Sequence, residues 1–209
     1  MNVTIIGTGN MARGIASRLL AGGHHVTVLG KEVEAAEGVI GDLEAEGSAE
    51  AGRSGDPVAD EVVVLAVYYP DAMAAVEQYG DQLDGKVIVD ICNPVNETFD
   101  GLVTPPDGSA AQELAATASG ARVVKAFNTT FANTLRGGEV AGQPLDVFLA
   151  GDDEDAKATI AKLAEDGGLR PVDTGPLRRA RELEAAGLLH MIVQGSLGTG
   201  YGSALKIVA

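Results

Sequence analysis

Two glycines and an alanine near the start of the chain have the spacing of a phosphate-binding turn. Gly7, Gly9 and Ala12 form the pattern Gly-x-Gly-x-x-Ala between an apolar run at residues 3–6 and a helical pattern at residues 10–20. Glycine lets the backbone approach a ligand closely, and the free N–H groups and dipole of the helix favour a pyrophosphate. We expect Asn10 to cap this helix. The context predicts a dinucleotide site formed by Gly7, Thr8, Gly9, Asn10, Met11 and Ala12.

The residues after a second predicted strand, at 26–29, indicate which nucleotide binds. NAD-binding folds have an acidic residue about 20 positions after the first glycine, where it accepts hydrogen bonds from the adenosine ribose. This chain has Gly30 there, followed by Lys31, whose charge favours the 2′-phosphate of NADP. A shift of one residue would return Glu32 to the ribose, and a solvated Lys31–Glu32 ion pair is the other alternative. We predict NADP(H) over NAD(H).

Polar and aromatic residues follow three further predicted strands, at residues 61–67, 86–91 and 122–127. They are Tyr68 with Tyr69 and Pro70, then Asn93, and finally Asn128 with Thr129. Because ligands bind at the carboxyl edge of parallel sheets, we expect these residues to face one cleft. Tyr68 and Tyr69 are candidates for packing on the cofactor, and half-exposed tyrosines at a helix entrance are the alternative. Asn93 is a candidate hydrogen-bonding group on the nicotinamide side.

Strand and helix patterns alternate along the chain. Six strand segments precede residue 140, with a weak third strand near residues 48–51, and this alternation predicts a doubly wound parallel sheet. A strand at 146–150, a helix at 153–165 and a strand at 170–173 then predict a smaller unit. We therefore divide the chain into residues 1–140, the dinucleotide-binding domain, and residues 141–209, a small C-terminal α/β lobe.

The composition limits the classes of partner. A net charge of −15 over 209 residues argues against nucleic acid and anionic membranes as partners. The single cysteine, Cys92, excludes an intrachain disulfide and favours a cytoplasmic location. We expect the Cys92 thiol to be buried in the protein and inert. The three histidines, His24, His25 and His190, have no second ligand at metal spacing, so we expect no metal.

Residues 185–205 contain no charged side chain, which raises the question of a membrane span. Five glycines and several polar residues interrupt the stretch and make spanning unfavourable. We interpret it as a surface buried in a dimer or against a ligand.

Several segments together resemble the coenzyme F420-dependent NADP oxidoreductases and the related cytosolic domain of the six-transmembrane metalloreductases. The matching segments lie at residues 7–14, Val67 to Pro70, 124–129, 151–153 and 169–177, with Arg181 and Glu184 following. The resemblance covers essentially the whole chain. It implies a Rossmann domain with a small C-terminal lobe, a homodimer, and hydride transfer between NADP(H) and a deazaflavin, coenzyme F420.

The resemblance also implies residue roles. Gly30 and Lys31 would hold the 2′-phosphate side, and the nicotinamide half would be held by Val67, Tyr68, Tyr69, Pro70, Asn93, Pro94 and Val95. Direct hydride transfer needs rings held in contact and water excluded. Asn128 and Thr129 are therefore assigned as positioning groups at the reacting centre.

Two departures from the family pattern keep alternatives open. The deazaflavin enzymes carry a Ser-Arg-Arg type clamp where this chain has Gly30-Lys31-Glu32, and commonly a histidine where it has Asn128. The alternatives are an NADPH-dependent flavin or ferric reductase and a non-catalytic NADP-binding sensor.

Overall fold

The computed structural model describes residues 1–43 and 49–208 of the chain. The strands within these residues are β1 Asn2–Ile6, β2 His25–Gly30, β3 Ala49–Arg53, β4 Val62–Leu65, β5 Val87–Asp90, β6 Arg122–Lys125, β7 Glu139–Val140, β8 Gln143–Pro144, β9 Asp146–Gly151 and β10 Arg170–Asp173. The α-helices are α1 Asn10–Ala21, α2 Val33–Gly41, α3 Tyr69–Tyr79, α4 Ala110–Thr117, α5 Ala132–Gly137, α6 Glu154–Asp166 and α7 Ala180–Leu197. Short 3-10 helices lie at Gly80–Leu83 and Leu177–Arg179.

One sheet of eight strands forms the centre of the described chain, in the order β3-β2-β1-β4-β5-β6-β9-β10. Strands β1 to β6 are parallel to their neighbours, as are β9 and β10, whereas β9 is antiparallel to β6. The first six strands lie in the order 3-2-1-4-5-6, which is that of dinucleotide-binding doubly wound sheets. Strands β2 and β3 are added on one side of β1 and strands β4 to β6 on the other, so the strand order reverses between β1 and β4. The predicted Rossmann-type α/β fold is confirmed.

Helices cover both faces of the sheet because its central strands are apolar on both sides. Strands β4 and β5 are buried along their whole length, as is typical of parallel sheets. On one face Ile15 and Leu19 of α1 pack against the sheet, and on the other Val76 of α3 and Leu114 of α4 do so. Full burial of such a side chain contributes about 1.5–3 kcal/mol.

The C-terminal elements extend the same sheet. Strand β9 joins β6 through the pairs Val124 with Gly151 and Lys125 with Ala150, and β10 continues beyond it. Helix α6 packs on these strands and also contacts α1. The division into residues 1–140 and 141–209 stays a prediction, and the sheet runs across it.

Several local predictions differ from the structure. The strands predicted at 86–91 and 122–127 are shorter, at Val87–Asp90 and Arg122–Lys125. The third strand was expected at residues 48–51, of which Ser48 lies outside the described residues, and β3 continues to Arg53 because it pairs with β2 up to Gly30. The fourth strand stops at Leu65, since its partner β1 stops at Ile6. Asn10 does not cap α1: the cap is Gly9, without a side-chain hydrogen bond.

The uncharged stretch at residues 185–205 forms most of α7 and the turn after it. Its inner face buries Gly187, His190 and Gln194, whereas Leu189 and Ile192 on the outer face are 60% and 52% exposed. In the described residues no helix is both long and apolar enough to span a bilayer.

Candidate functional site

A cleft opens at the carboxyl edge of the sheet, where the strand order reverses between β1 and β4. It consists of two cavities, of about 410 and 320 Å³. Gly9, Ala66, Val67 and Tyr68 line both cavities, so the two are halves of one cleft. We name them by the part of a dinucleotide that the sequence predicts for each. The adenosine half extends to β2 and β3, and the nicotinamide half extends to β5 and β6.

The glycine turn after β1 forms the centre of this cleft. Gly7 has φ +124°, and a Cβ atom on it would lie 2.3 Å from the Ala66 carbonyl oxygen, so only glycine fits. Gly9 is the N-cap of α1 and no side chain caps that end. The first N–H groups of the helix are therefore left for an anionic ligand, as a pyrophosphate requires. Arg13 donates to the Thr8 carbonyl and fixes the turn from the helix side.

Charged side chains surround the far end of the adenosine half. Lys31 is 86% exposed and lies 3.3 Å from a carboxylate oxygen of Asp71. Glu32, which lines the cavity, accepts a hydrogen bond from Arg53 at 3.0 Å. Each cation at this end thus faces one carboxylate, and all four side chains are largely in solvent.

Two asparagines form the floor of the nicotinamide half. Asn93 Nδ2 donates to the Asn128 carbonyl at 2.7 Å, and Asn128 Nδ2 donates to Asn93 Oδ1 and to the Leu183 carbonyl, both at 2.8 Å. Asn128 is only 4% exposed, yet none of the described groups donates to its Oδ1 atom. A buried acceptor without a donor is costly. Asn128 Oδ1 is a buried acceptor without a described donor, in a residue that lines the nicotinamide half.

Helix α7 closes the nicotinamide half by approaching this floor closely. A Cβ atom on Gly187 would lie 2.5 Å from Asn93 Oδ1, so glycine permits the contact. Met191 of α7 lines the cavity together with Phe131, which stacks on His190 with ring centroids 4.2 Å apart. His190 Nδ1 donates to the Thr129 carbonyl at 3.1 Å, and burial lowers the pKa of His190.

A fully buried ionic cluster lies beneath the asparagines. Lys125 Nζ is 2.8 Å from Asp90 Oδ2 and 2.8 Å from Glu184 Oε1, and it also donates to the Cys92 carbonyl. Burial alone would lower the pKa of Lys125, but the two carboxylates raise it, so the lysine stays charged. Glu184 also accepts hydrogen bonds from the Ala110 and Ala111 N–H groups at the start of α4. The cluster thus joins β5, β6, α4 and α7.

Comparison with known proteins identifies the family. Residues 2–94 match the family model described as NADP oxidoreductase coenzyme F420-dependent. The F420-dependent NADP reductase of Methanothermobacter thermautotrophicus is 32% identical over 200 residues, which cover 88% of this chain and 85% of that protein. The chain belongs to this family. The resemblance seen in the sequence is thereby confirmed, together with the prediction that the protein is an oxidoreductase.

Two further relatives show how far the similarity extends. Metalloreductase STEAP3 of Rattus norvegicus is 31% identical over 183 residues, and the match covers only 36% of its length. The crystal structure of a protein of Arthrobacter sp. FB24, assigned as an F420-dependent NADP-reductase, superposes with a TM-score of 0.86 and 28% identity over 99% of both chains. The fold of the present chain therefore matches that of the Arthrobacter protein along almost the whole length of both chains.

Most of the site residues predicted from sequence line the cleft of this reductase family member. Those that do are Gly7, Thr8, Gly9, Asn10, Met11, Lys31, Val67, Tyr68, Asn93, Val95 and Asn128. Six predicted residues line neither cavity: Ala12, Gly30, Tyr69, Pro70, Pro94 and Thr129. The cofactor contacts predicted for those six have no support in the shape of the cleft.

For three of these six residues the structure shows why they do not line the cleft. Ala12 is fully buried in the core between α1 and the sheet. Tyr69 turns away with α3 and its hydroxyl donates to Glu113; burial and this hydrogen bond raise the pKa of Tyr69 to about 12. Thr129 is buried, its Oγ1 atom has no partner among the described residues, and Thr130 lines the cavity instead. Cys92 is not one of the six: it lines the nicotinamide half, its thiol is buried, and this burial raises its pKa.

Sequence reasoning missed several residues that line the cleft. In the adenosine half they include Glu32 and Ser54, and in the nicotinamide half Phe99, Phe131 and Met191. Ser54 directly follows β3, just as Asn93 and Asn128 come soon after β5 and β6. The sequence of β3 has no apolar run, so the end of this strand, and with it Ser54, could not be located from the sequence.

Proposed function

We propose that the protein transfers a hydride between NADP(H) and the deazaflavin coenzyme F420. The observation that carries this proposal is the continuous cleft, which has an uncapped helix N-terminus at its centre and the unpartnered Asn128 Oδ1 in one half. Family membership supports it, since relatives of 30% and 32% identity over most of their length are named F420-dependent NADP reductases.

The side chains of the cleft suit binding and positioning. The first turn of α1 would hold the pyrophosphate, and Lys31 would face the 2′-phosphate. Asn128 Oδ1 would accept a hydrogen bond from the ring bound beside it, and Asn93 fixes the orientation of the Asn128 amide. Thr129, first assigned to the reacting centre, would act through its carbonyl group, which accepts from His190.

Exclusion of water is the second task of the nicotinamide half. When bound, the two cofactors would supply the hydride donor and acceptor, and the deazaflavin would also take up one proton from solvent when it is reduced. The walls next to the asparagines include apolar side chains from four separate segments of the chain, Val67, Ile91, Phe131 and Met191. Such a lining favours stacked rings over water.

A stopped-flow comparison tests the proposed function. NADPH is mixed with the enzyme and with coenzyme F420, FMN, FAD or riboflavin at matched concentrations, and its oxidation is followed by absorbance. We expect coenzyme F420 to give the largest rate constant. A larger rate constant with any ordinary flavin would instead favour a flavin reductase, and NADPH binding without oxidation by any acceptor would favour a sensor protein.

We also propose that the exposed apolar face of α7 is buried in a homodimer. Leu189, Ile192, Leu197 and Tyr201 are each at least 50% exposed, and no charged residue lies between positions 185 and 205. Apolar patches of this kind mark interfaces, and two-fold dimers are the commonest assembly. A cytoplasmic location stays a prediction that rests on the single cysteine.

Sedimentation velocity at micromolar concentration tests the assembly. We expect a dimer for the unmodified chain and a monomer for Ile192→Asp, while Val103→Asp, at an equally exposed position outside α7, should remain dimeric. A monomer in the unmodified chain would contradict the proposal.

A further inference from the structure

The carboxyl end of β3 places a cation and a hydroxyl beside the adenosine half. Arg53 is the last residue of β3 and pairs in register with Gly30, the last residue of β2. The Ser54 N–H group donates to the Gly30 carbonyl at 2.7 Å, so the two strand ends lie side by side. Ser54 lines the same cavity as Lys31 and Glu32. Two strands therefore contribute to the end of the cleft where Lys31 lies.

The guanidinium of Arg53 does not line this cavity itself, but it is paired with Glu32, which does. Arg53 Nη2 donates to Glu32 Oε2 at 3.0 Å, and the two side chains are 59% and 70% exposed. An ion pair with this exposure contributes little to stability. It can open at small cost when a stronger anion arrives.

The backbone that carries Arg53 is rigidly fixed. Asp56 accepts a hydrogen bond from the Arg53 N–H group at 2.7 Å, and the Tyr79 hydroxyl accepts one from the Gly55 N–H group at 2.8 Å. Gly55 has φ +102°, a conformation that favours glycine. The turn after β3 is thus held in place, and only the Arg53 side chain must move to change partner.

We propose that Arg53 and Ser54 complete a 2′-phosphate site with Lys31, and that Glu32 occupies Arg53 until the phosphate of NADP(H) displaces it. This inference rests on the proposed binding of NADP(H). A phosphate monoester carries a charge of about −1.5 to −2 and presents three acceptor oxygens, so it attracts a guanidinium more strongly than a single carboxylate does. Lys31 and Glu32, the residues that directly follow β2, include no arginine, and β3 supplies a guanidinium from the adjacent strand end.

The same geometry gives Glu32 a role opposite to that of Arg53. With NADH no phosphate competes, and the Glu32 carboxylate at the end of β2 can accept hydrogen bonds from the ribose hydroxyls. With NADPH the carboxylate faces a like charge, which weakens binding. Arg53 and Glu32 therefore set the nucleotide preference in opposite directions, and their ion pair holds both side chains at the site when no nucleotide is bound.

The test is a titration of the full chain with NADPH and NADH, followed by nucleotide fluorescence, for the unmodified protein and three variants. Arg53→Gln should weaken NADPH binding by about tenfold, the value of one charge-assisted contact, and leave NADH within about twofold. Glu32→Gln should tighten NADPH and weaken NADH. Arg179→Gln breaks a similar exposed pair with Glu182, at 3.1 Å, and should change neither affinity.

Each result decides between the inference and its alternatives. The inference is overturned if Arg53→Gln changes neither affinity, or weakens NADPH and NADH equally, while the unmodified protein binds NADPH. Thermal unfolding of the nucleotide-free variants serves as a second readout and should show no loss for Arg53→Gln, since the pair is exposed. Failure of the unmodified protein to bind either nucleotide would instead overturn the proposed function, and this inference with it.

Discussion

Replacement of Lys125 by methionine tests whether the buried ionic cluster stabilises the floor of the cleft. The lysine ammonium lies fully buried between Asp90 and Glu184 and also donates to the Cys92 carbonyl, one residue before Asn93. Methionine keeps a long unbranched side chain but removes the charge. Lys125→Met therefore leaves two buried carboxylates without their cation.

The expected cost follows from the burial of all three groups. Removing one partner of a buried ion pair costs about 3–5 kcal/mol, because the remaining charge is uncompensated. A domain has about 5–15 kcal/mol of stability in total. Urea unfolding of Lys125→Met near neutral pH should thus show a loss of about a fifth or more of the free energy of unfolding. The loss should shrink toward about pH 5, because unpaired buried carboxylates have a raised pKa and regain stability as they take up protons.

A matched substitution provides the control for this prediction. Lys162→Met removes the cation of an exposed pair with Asp166, whose atoms lie 2.9 Å apart one helical turn away. Such pairs contribute about 0.2–0.5 kcal/mol. The reasoning is refuted if Lys125→Met costs no more than Lys162→Met. Adding Asp90→Asn and Glu184→Gln to Lys125→Met should recover part of the loss, since no charge then remains buried.

Two further predictions concern the glycine turn and the C-terminal segment. Gly7→Ala places a Cβ atom 2.3 Å from a carbonyl oxygen and should lower both the unfolding temperature, measured by calorimetry, and the nucleotide affinity, measured by titration. The control is Gly38→Ala, on a helix where a Cβ atom meets open space, and it should lower neither. Burial alone would raise the pKa of Asp146, but hydrogen bonds from Arg170, Lys206 and a backbone N–H lower it to about 2 from 3.8. The ionised Asp146 therefore contributes about 2 kcal/mol to the free energy of unfolding above pH 3.8, and this contribution is lost as the pH falls through 2. Acid titration of the unmodified chain should show a loss of stability in this pH range that Asp146→Asn lacks.

Asn128, where the resemblance leads us to expect a histidine, has a structural role in this chain. The Asn128 amide exchanges hydrogen bonds with Asn93 and donates to the Leu183 carbonyl, so it links β5, β6 and α7 at one point. A single amide supplies both the donors for these contacts and an acceptor, Oδ1, without a described donor. Repeating the stopped-flow comparison with Asn128→His will show whether the asparagine serves the deazaflavin as well as a histidine does.

Local features of the sequence determined the core of the fold and the centre of the site. The apolar runs of β1, β4 and β5 are unambiguous because parallel strands are buried on both faces. The turn at Gly7 and Gly9 can be recognised from adjacent residues alone, because the turn and the start of α1 form within a few positions. The same holds for Asp153, predicted at the start of a helix, which accepts from Ala156 as the N-cap of α6. These features need no knowledge of distant contacts.

The tertiary structure alone decided which side chains face the cleft. Tyr68 lines it and Tyr69 does not, because α3 begins between them and turns successive side chains in different directions. Ser54 lines the adenosine half, and Arg53 contacts Glu32 there, only because β3 pairs with β2 as far as Gly30. The sequence of β3, made of small and charged residues, does not specify this register. Lys125 and Glu184, 59 positions apart, meet only when α7 folds back onto the sheet. Contacts of this range depend on the packing of whole elements, which local residue patterns do not encode.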